Sequence, residues 1–300
     1  MNRTRLLIGI IMMSCISSIC AKDYEATVGC FGEGLGQASV IVEYNSRINV
    51  WSSSEKKIVK NGEPNGTTGI DKSWGVYFNN RASYEATPAA GSVFKGWYSE
   101  DKETFQTQTN PMSLNSSMDK THNYGTYYAK FDIVSIQNDP NCNPIPLQVT
   151  GNPNGTVTGT VTFISSDANS KDDFAPIAVK TNGEGQWIVT DWSYDTSTKK
   201  VNVTYQYTAD NRHYTNQEAT ATITLHSANM KVSKSVNVSA NVDLTPTFSI
   251  TPTTYTFGEI EIGSSERQTI AITPTNEVAK AAGFEWTYTI TGDIGEFAVE

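Results

Sequence analysis

Apolar and polar residues alternate with a period of two along most of this chain, and that spacing restricts its fold more than any other feature. In VNVTYQY, Val201, Val203, Tyr205 and Tyr207 alternate with polar neighbours, and Ala221, Ile223 and Leu225 do so in ATITL. Val236, Val238, Ala240 and Val242 repeat the pattern, as do Phe284, Trp286, Tyr288 and Ile290 in FEWTYTI. Side chains two apart on an extended backbone share a face, so each run sets one face on a core and the other in water. Asn-Gly pairs at 61–62, 65–66, 154–155 and 182–183 mark turns between the runs. No sustained helical stripe occurs; EVAKAAG at 277–283 is the best helical candidate, and it is short. The expected fold is therefore all-β, built from short strands as sandwiches or small β-rich units.

The length of 300 residues predicts two or three domains. A hydrophobic fraction of 38% with 10% aromatics is enough for small cores and too aromatic for a disordered chain. A net charge of −9 argues against a nucleic-acid partner.

The opening residues, MNRTRLLIGIIMMSCISSICAKD, follow the plan of an export signal, with Arg3 and Arg5 before a short apolar run and small residues after it. That run is too short to span a bilayer. Residues 1–21 are expected to be the signal peptide, cleaved after Ala21. Met12-Met13-Ser14-Cys15 also resembles a bacterial lipoprotein box, which makes Cys15 the candidate lipid anchor; both processing routes stay open. An exported chain can hold disulfides. After cleavage at Ala21 only Cys30 and Cys142 remain, with no C-x-x-C pair to suit a metal, and they could be bonded or free.

The chain also repeats itself. Asp173-Phe174-Ala175 resembles Glu296-Phe297-Ala298, with the two phenylalanines 123 positions apart. The same offset aligns Val161 and Phe163 with Phe284 and Trp286, and Leu147 and Val149 with Ile270 and Ile272. Three apolar matches in one register predict a tandem pair of related domains. Few residues follow Phe297 compared with those after Phe174, so the last domain is expected to be incomplete as written.

The segment 246–276, with Phe257-Gly258, Ile260, Ile262-Gly263 and Thr275-Asn276, resembles the opening of immunoglobulin-like domains of the ASPM–SPD-2–Hydin and choice-of-anchor D type. Residues 201–243 resemble the closing half of the same domain, although Ala209 stands where the family has proline. Residues 26–131 resemble a divergent internalin B-repeat through GCFGEGLGQASVIVEY, YEATPAAGSVFKGWYSE and YYAKFD, with the insert from Trp51 to Lys72 departing from the pattern. These resemblances imply a small β-grasp-like N-terminal unit followed by tandem Ig-like β-sandwich domains. The expected boundaries are 1–21 signal peptide, 22–133 B-repeat-like domain, 134–244 Ig-like sandwich and 245–300 partial Ig-like sandwich.

Gly96-Trp97-Tyr98 raises the question of a contact site. Gly96 permits a close backbone approach, and Trp97 reads as a core peg whose N–H finds a partner. The alternative is a ligand platform. Tyr98 falls on the opposite face and is the better contact candidate; Tyr98 and Trp97 are together the ligand-contact candidates. Gly32-x-Gly34-x-Gly36 lacks the spacing, lysine and helix of a phosphate loop. Asp167-x-Asn169 with Asp172-Asp173 departs from a calcium loop, since Lys171 takes a ligand position and the turn glycine is missing. His122, His213 and His226 sit in no catalytic motif. No catalytic residue, metal ligand or cofactor is expected.

The reading is a non-catalytic exported cell-surface or secreted modular protein, acting as a display or spacer array or in adhesion. Its expected partner is an extracellular protein or carbohydrate, with membrane contact only through a lipid on Cys15. The alternative is an accessory region of a larger secreted enzyme, possibly polysaccharide-active, whose catalytic part lies beyond residue 300.

Overall fold

Within the described residues the alternating segments are strands. The structure, a computed structural model, describes residues 24–46, 51–70, 77–117, 122–210, 217–256, 258–259, 261 and 263–281. The signal segment with Cys15, and Phe284, Trp286 and Phe297 of the second copy of the repeat, lie outside those residues. The chain divides into two compact units: residues 1–88 with 94–132, and residues 89–93 with 133–300.

Among the described residues the first unit carries ten strands. In chain order they are β1 (Tyr24–Phe31), β2 (Gly36–Ser46), β3 (Trp51–Ser53), β4 (Lys57–Lys60) and β5 (Gly66–Ile70). Then come β6 (Tyr77–Pro88), β7 (Ser92–Tyr98), β8 (Phe105–Thr107), β9 (Met112–Ser117) and β10 (His122–Ile133). They form two sheets, ordered β5-β1-β10-β7-β8 and β3-β2-β6-β9, with β4 also paired to β2. The expected β-grasp-like unit thus takes the form of two sheets, in which the first and last strands, β1 and β10, run parallel side by side.

Alternation explains the core. Tyr24, Ala26 and Val28 of β1, Val40 and Val42 of β2, and Ala82 and Tyr84 of β6 are all buried, with Ala129 and Phe131 of β10. Strand β7 breaks the rule. Phe94 and Trp97 lie three apart, yet their rings meet at 5.5 Å. Gly96 sits between them at φ +138°, a conformation only glycine adopts freely, and beside it the pairing of β7 with β8 shifts register between Trp97 and Tyr98, a bulge that accompanies the turn of both rings to one side. Trp97 is 0% exposed and stands edge-to-face against Tyr84 at 5.8 Å. Its indole N–H, expected to find a partner, has none among the described residues. The aromatic packing, worth about 0.5–1.5 kcal/mol per pair beyond area burial, offsets the roughly 1–3 kcal/mol that an unsatisfied buried donor costs.

The second unit is an immunoglobulin-like β-sandwich. Its strands are β11 (Gln137–Asn138), β12 (Leu147–Thr150), β13 (Thr156–Ile164), β14 (Phe174–Asn182) and β15 (Gln186–Asp195), then β16 (Lys200–Thr208), β17 (Gln217–Ser227) and β18 (Ser233–Asp243). One sheet runs β11-β13-β16-β15 and the other β12-β18-β17-β14. Val201, Val203, Tyr205 and Tyr207 meet Ala221, Ile223 and Leu225 in one core, each at most 1% exposed. Burying a side chain of this size contributes about 1.5–3 kcal/mol. A further pair, β19 (Phe248–Thr251) with β20 (Ala271–Pro274), precedes the short helix α1 (Glu277–Ala281), whose Val278 joins the same core.

Because Trp97 fills the centre of a small core, Trp97→Ala is expected to destabilise the first unit by about 3–5 kcal/mol. Denaturant titration followed by near-ultraviolet circular dichroism reads this as a lowered midpoint; an unchanged midpoint would remove Trp97 from the core.

Candidate functional site

Trp97 as a ligand contact is corrected by its burial: a side chain with no exposed surface reaches no ligand. Tyr98, one residue on, emerges on the other side of the sheet and is half-buried. Its ring stands edge-on to Phe31 of β1 at 5.4 Å and to Phe105 of β8 at 5.6 Å. Phe31 in turn stands edge-on to Tyr128 of β10 at 6.3 Å. Four rings, from β8, β7, β1 and β10, therefore form one contiguous cluster on the other face of this sheet, with Tyr128 its buried member. Phe105 at the edge is 51% exposed.

Two lysines lie over the rings. Lys130 Nζ is 5.8 Å from the centre of Tyr98, and Lys102 Nζ is 4.6 Å from that of Tyr128. Each such contact is worth about 0.5–1 kcal/mol at an exposed site. Lys130 follows from strand periodicity, since it shares the outward parity of Tyr128 while Tyr127, Ala129 and Phe131 pack inward. Lys102 is delivered by a loop. Asp101 accepts from the hydroxyls of Ser99 and Thr104 and from the N–H groups of Glu103 and Thr104, at 2.6–2.9 Å. The Thr104 hydroxyl, then those N–H groups and Ser99, hold the Asp101 carboxyl well below the usual carboxylate range. The closed loop sets Lys102 at φ 59°, a left-handed conformation costing an ordinary residue about 1–2 kcal/mol.

Glycine makes room for Tyr128. A Cβ on Gly29 of β1 would stand 2.5 Å from the Tyr128 ring, so the ring lies where that side chain would be. The Tyr128 hydroxyl accepts from the Asn65 amide at 2.5 Å. Sequence reasoning found Tyr98 but not Phe31, Phe105, Tyr128, Lys102 or Lys130 as its companions. The outward parity of Tyr128 and Lys130 in YYAKFD was a usable signal; the pairing of β1 beside β10 was not visible.

The other candidates resolve structurally. Asp167 Oδ1 accepts from the Ser135 N–H and hydroxyl, both at 2.8 Å. Asp173 accepts from the Asn169 and Ser170 N–H groups at 2.8 and 3.1 Å, capping the turn Lys171–Asp173. These carboxylates brace loops, and no group of His, Cys, Asp and Glu able to hold a metal occurs among the described residues. Gly32 to Leu35 form the bend from β1 into β2. His226 lies next to the end of β17, and His213 lies outside the described residues. Cys30 and Cys142 are both free thiols. The Cys30 thiol donates to the Val59 carbonyl.

No protein-family model matches the chain, and no curated protein matches it. Among solved structures, it is similar to the major pilin subunit BcpA of Bacillus cereus in its D312A form, at 10% identity and a TM-score of 0.25, over 75% of this chain and 70% of that one. It is also similar to the full-length major pilin SpaD of Corynebacterium diphtheriae, at 12% identity and a TM-score of 0.27, over 72% and 65% of the two chains. For the cadherin-like domains 1 to 4 of zebrafish RET the values are 7% and 0.27, over 69% and 40%. At these TM-scores the functional argument rests on the chain's own residues.

Burial pushes the Cys30 thiol from 9.0 up to about 11, with Glu63 adding to it and the Ala38 backbone opposing. Burial likewise pushes the Tyr84 and Tyr124 phenols well above their usual range. The folded state thus favours the protonated forms. Their contribution is fully present below pH about 9 and is lost as the pH climbs through 11 and beyond. The first unit is therefore expected to lose stability on the alkaline side, and Cys30 to resist alkylation at pH 8 until denaturant is added. Rapid labelling of native Cys30 at pH 8 would contradict this.

Proposed function

We propose that this protein is a non-catalytic, exported surface or secreted protein, an array of β-domains that works by contact. The observation that carries the reading is the cluster of Phe31, Tyr98, Phe105 and Tyr128 on the outer face of the first unit. Aromatic side chains offer large, rigid contact area at low entropic cost, and exposed clusters of them mark interaction sites. Phe105 is half in water and Phe31 and Tyr98 are partly exposed, while Tyr128 is buried.

Export is supported by Arg3, Arg5 and the apolar run that follows them. No helix among the described residues is long and apolar enough to cross a membrane. The second unit serves in this reading as a rigid spacer, its two sheets packed on one shared core.

N-terminal sequencing and membrane partitioning of the native protein test the reading. The mature chain is expected to begin near residue 15 or 22, outside the cytoplasm, with a lipid on Cys15 in the anchored case. An intact Met1 on a cytosolic protein would sink it.

A further inference from the structure

We propose that the aromatic face of the first unit binds an acidic polysaccharide, the rings of Phe31, Tyr98 and Phe105 taking the apolar faces of sugar rings and the ammonium groups of Lys102 and Lys130 taking carboxylate or sulfate groups. This rests on the contact function proposed above and names its ligand.

The charge arrangement carries the argument. In a chain of net charge −9, two lysines converge on one aromatic cluster. Lys102 is flanked in its loop by Glu100, Asp101 and Glu103, yet its ammonium lies over Tyr128, and it makes no ion pair among the described residues. Asp101 spends its carboxylate on four hydrogen bonds within the loop, so the acid nearest in sequence does not neutralise it. Lys130 has only Asp132, at 3.8 Å, a separation that gives little in water. Both cations are thus available to an anion carried by a ligand lying along the rings.

The company of the rings selects a saccharide over an apolar protein surface or a lipid. The face also presents the paired hydroxyls of Thr27 and Thr67, 2.9 Å apart, and the Asn65 amide. An apolar partner would cover the two ammonium ions without satisfying them, at a desolvation cost. A pyranose brings C–H faces to the rings and hydroxyls and charge to the rim together.

Native affinity electrophoresis of the full chain tests this, in gels containing polygalacturonate, chondroitin sulfate or uncharged hydroxyethyl cellulose. The expected result is retardation in at least one polyanion gel, with carboxylate and sulfate told apart by which. Lys102→Gln and Phe105→Ala should each weaken it at least about fivefold, a loss matching one cation–π or ring contact, and salt should weaken it further. Phe105 is half exposed, so its variant should fold, as thermal melting will show. Trp51→Ala, on β3 in the other sheet, should leave retardation unchanged. No retardation by either polyanion, equal retardation by the neutral polymer, or retardation indifferent to both variants would overturn the proposal. An exported protein that fails here would lose this ligand and keep the contact array; a cytosolic one would lose both.

Discussion

Each strand carries its backbone donors and acceptors into a neighbouring strand and every second side chain into a shared core, and both units depend on doing the two at once. An extended segment alone buries neither set. Paired into a sheet it satisfies the backbone but still exposes an apolar face, so a second layer is obligatory. In the second unit that layer is another sheet, and Val201 to Tyr207 meet Ala221 to Leu225 across it. The inner faces are thereby used up, while Ile177 and Val179 of β14 and Ile188 of β15 remain exposed on the outside.

In the first unit the same constraint is met with a local exception. The bulge at Gly96 puts Phe94 and Trp97 on the inner side, where strict alternation would have divided them. It also leaves Tyr98 pointing out beside Phe105 and Phe31. One glycine thereby links the interior peg to the exterior cluster: the core is filled from the residue preceding the one that offers contact. The ring of Phe105 lies close over this glycine, since a Cβ there would stand 2.6 Å from it. Any side chain at position 96 would disturb core and surface together.

The outer face gains its chemical character from a loop, not from the strands alone. Asp101 closes the connection between β7 and β8 on itself, and the closure aims Lys102 across the sheet at Tyr128. The strand contributes Lys130 by parity and the loop contributes Lys102 by geometry, so two ammonium groups lie over one aromatic cluster. Such an arrangement has directionality that a scatter of surface lysines lacks.

Much of the architecture was legible in the sequence. Period-two alternation gave the strands and their buried faces in β16 and β17, because a two-residue repeat fixes which side chains share a face whatever the partner strand. The Asn-Gly turns and the short helix near 277 followed from local backbone preferences. The same parity placed Tyr98 on the face opposite Trp97. The site around it was not legible, because Phe31, Tyr98, Phe105 and Tyr128 are scattered over some hundred residues and meet only through strand pairing. Parity says which face a residue takes but not which strand lies next to it. The parallel pairing of β1 with β10, the bulge that puts Phe94 beside Trp97, and the loop that carries Lys102 over a ring are all decided by long-range hydrogen bonding and packing, which only the tertiary structure contains.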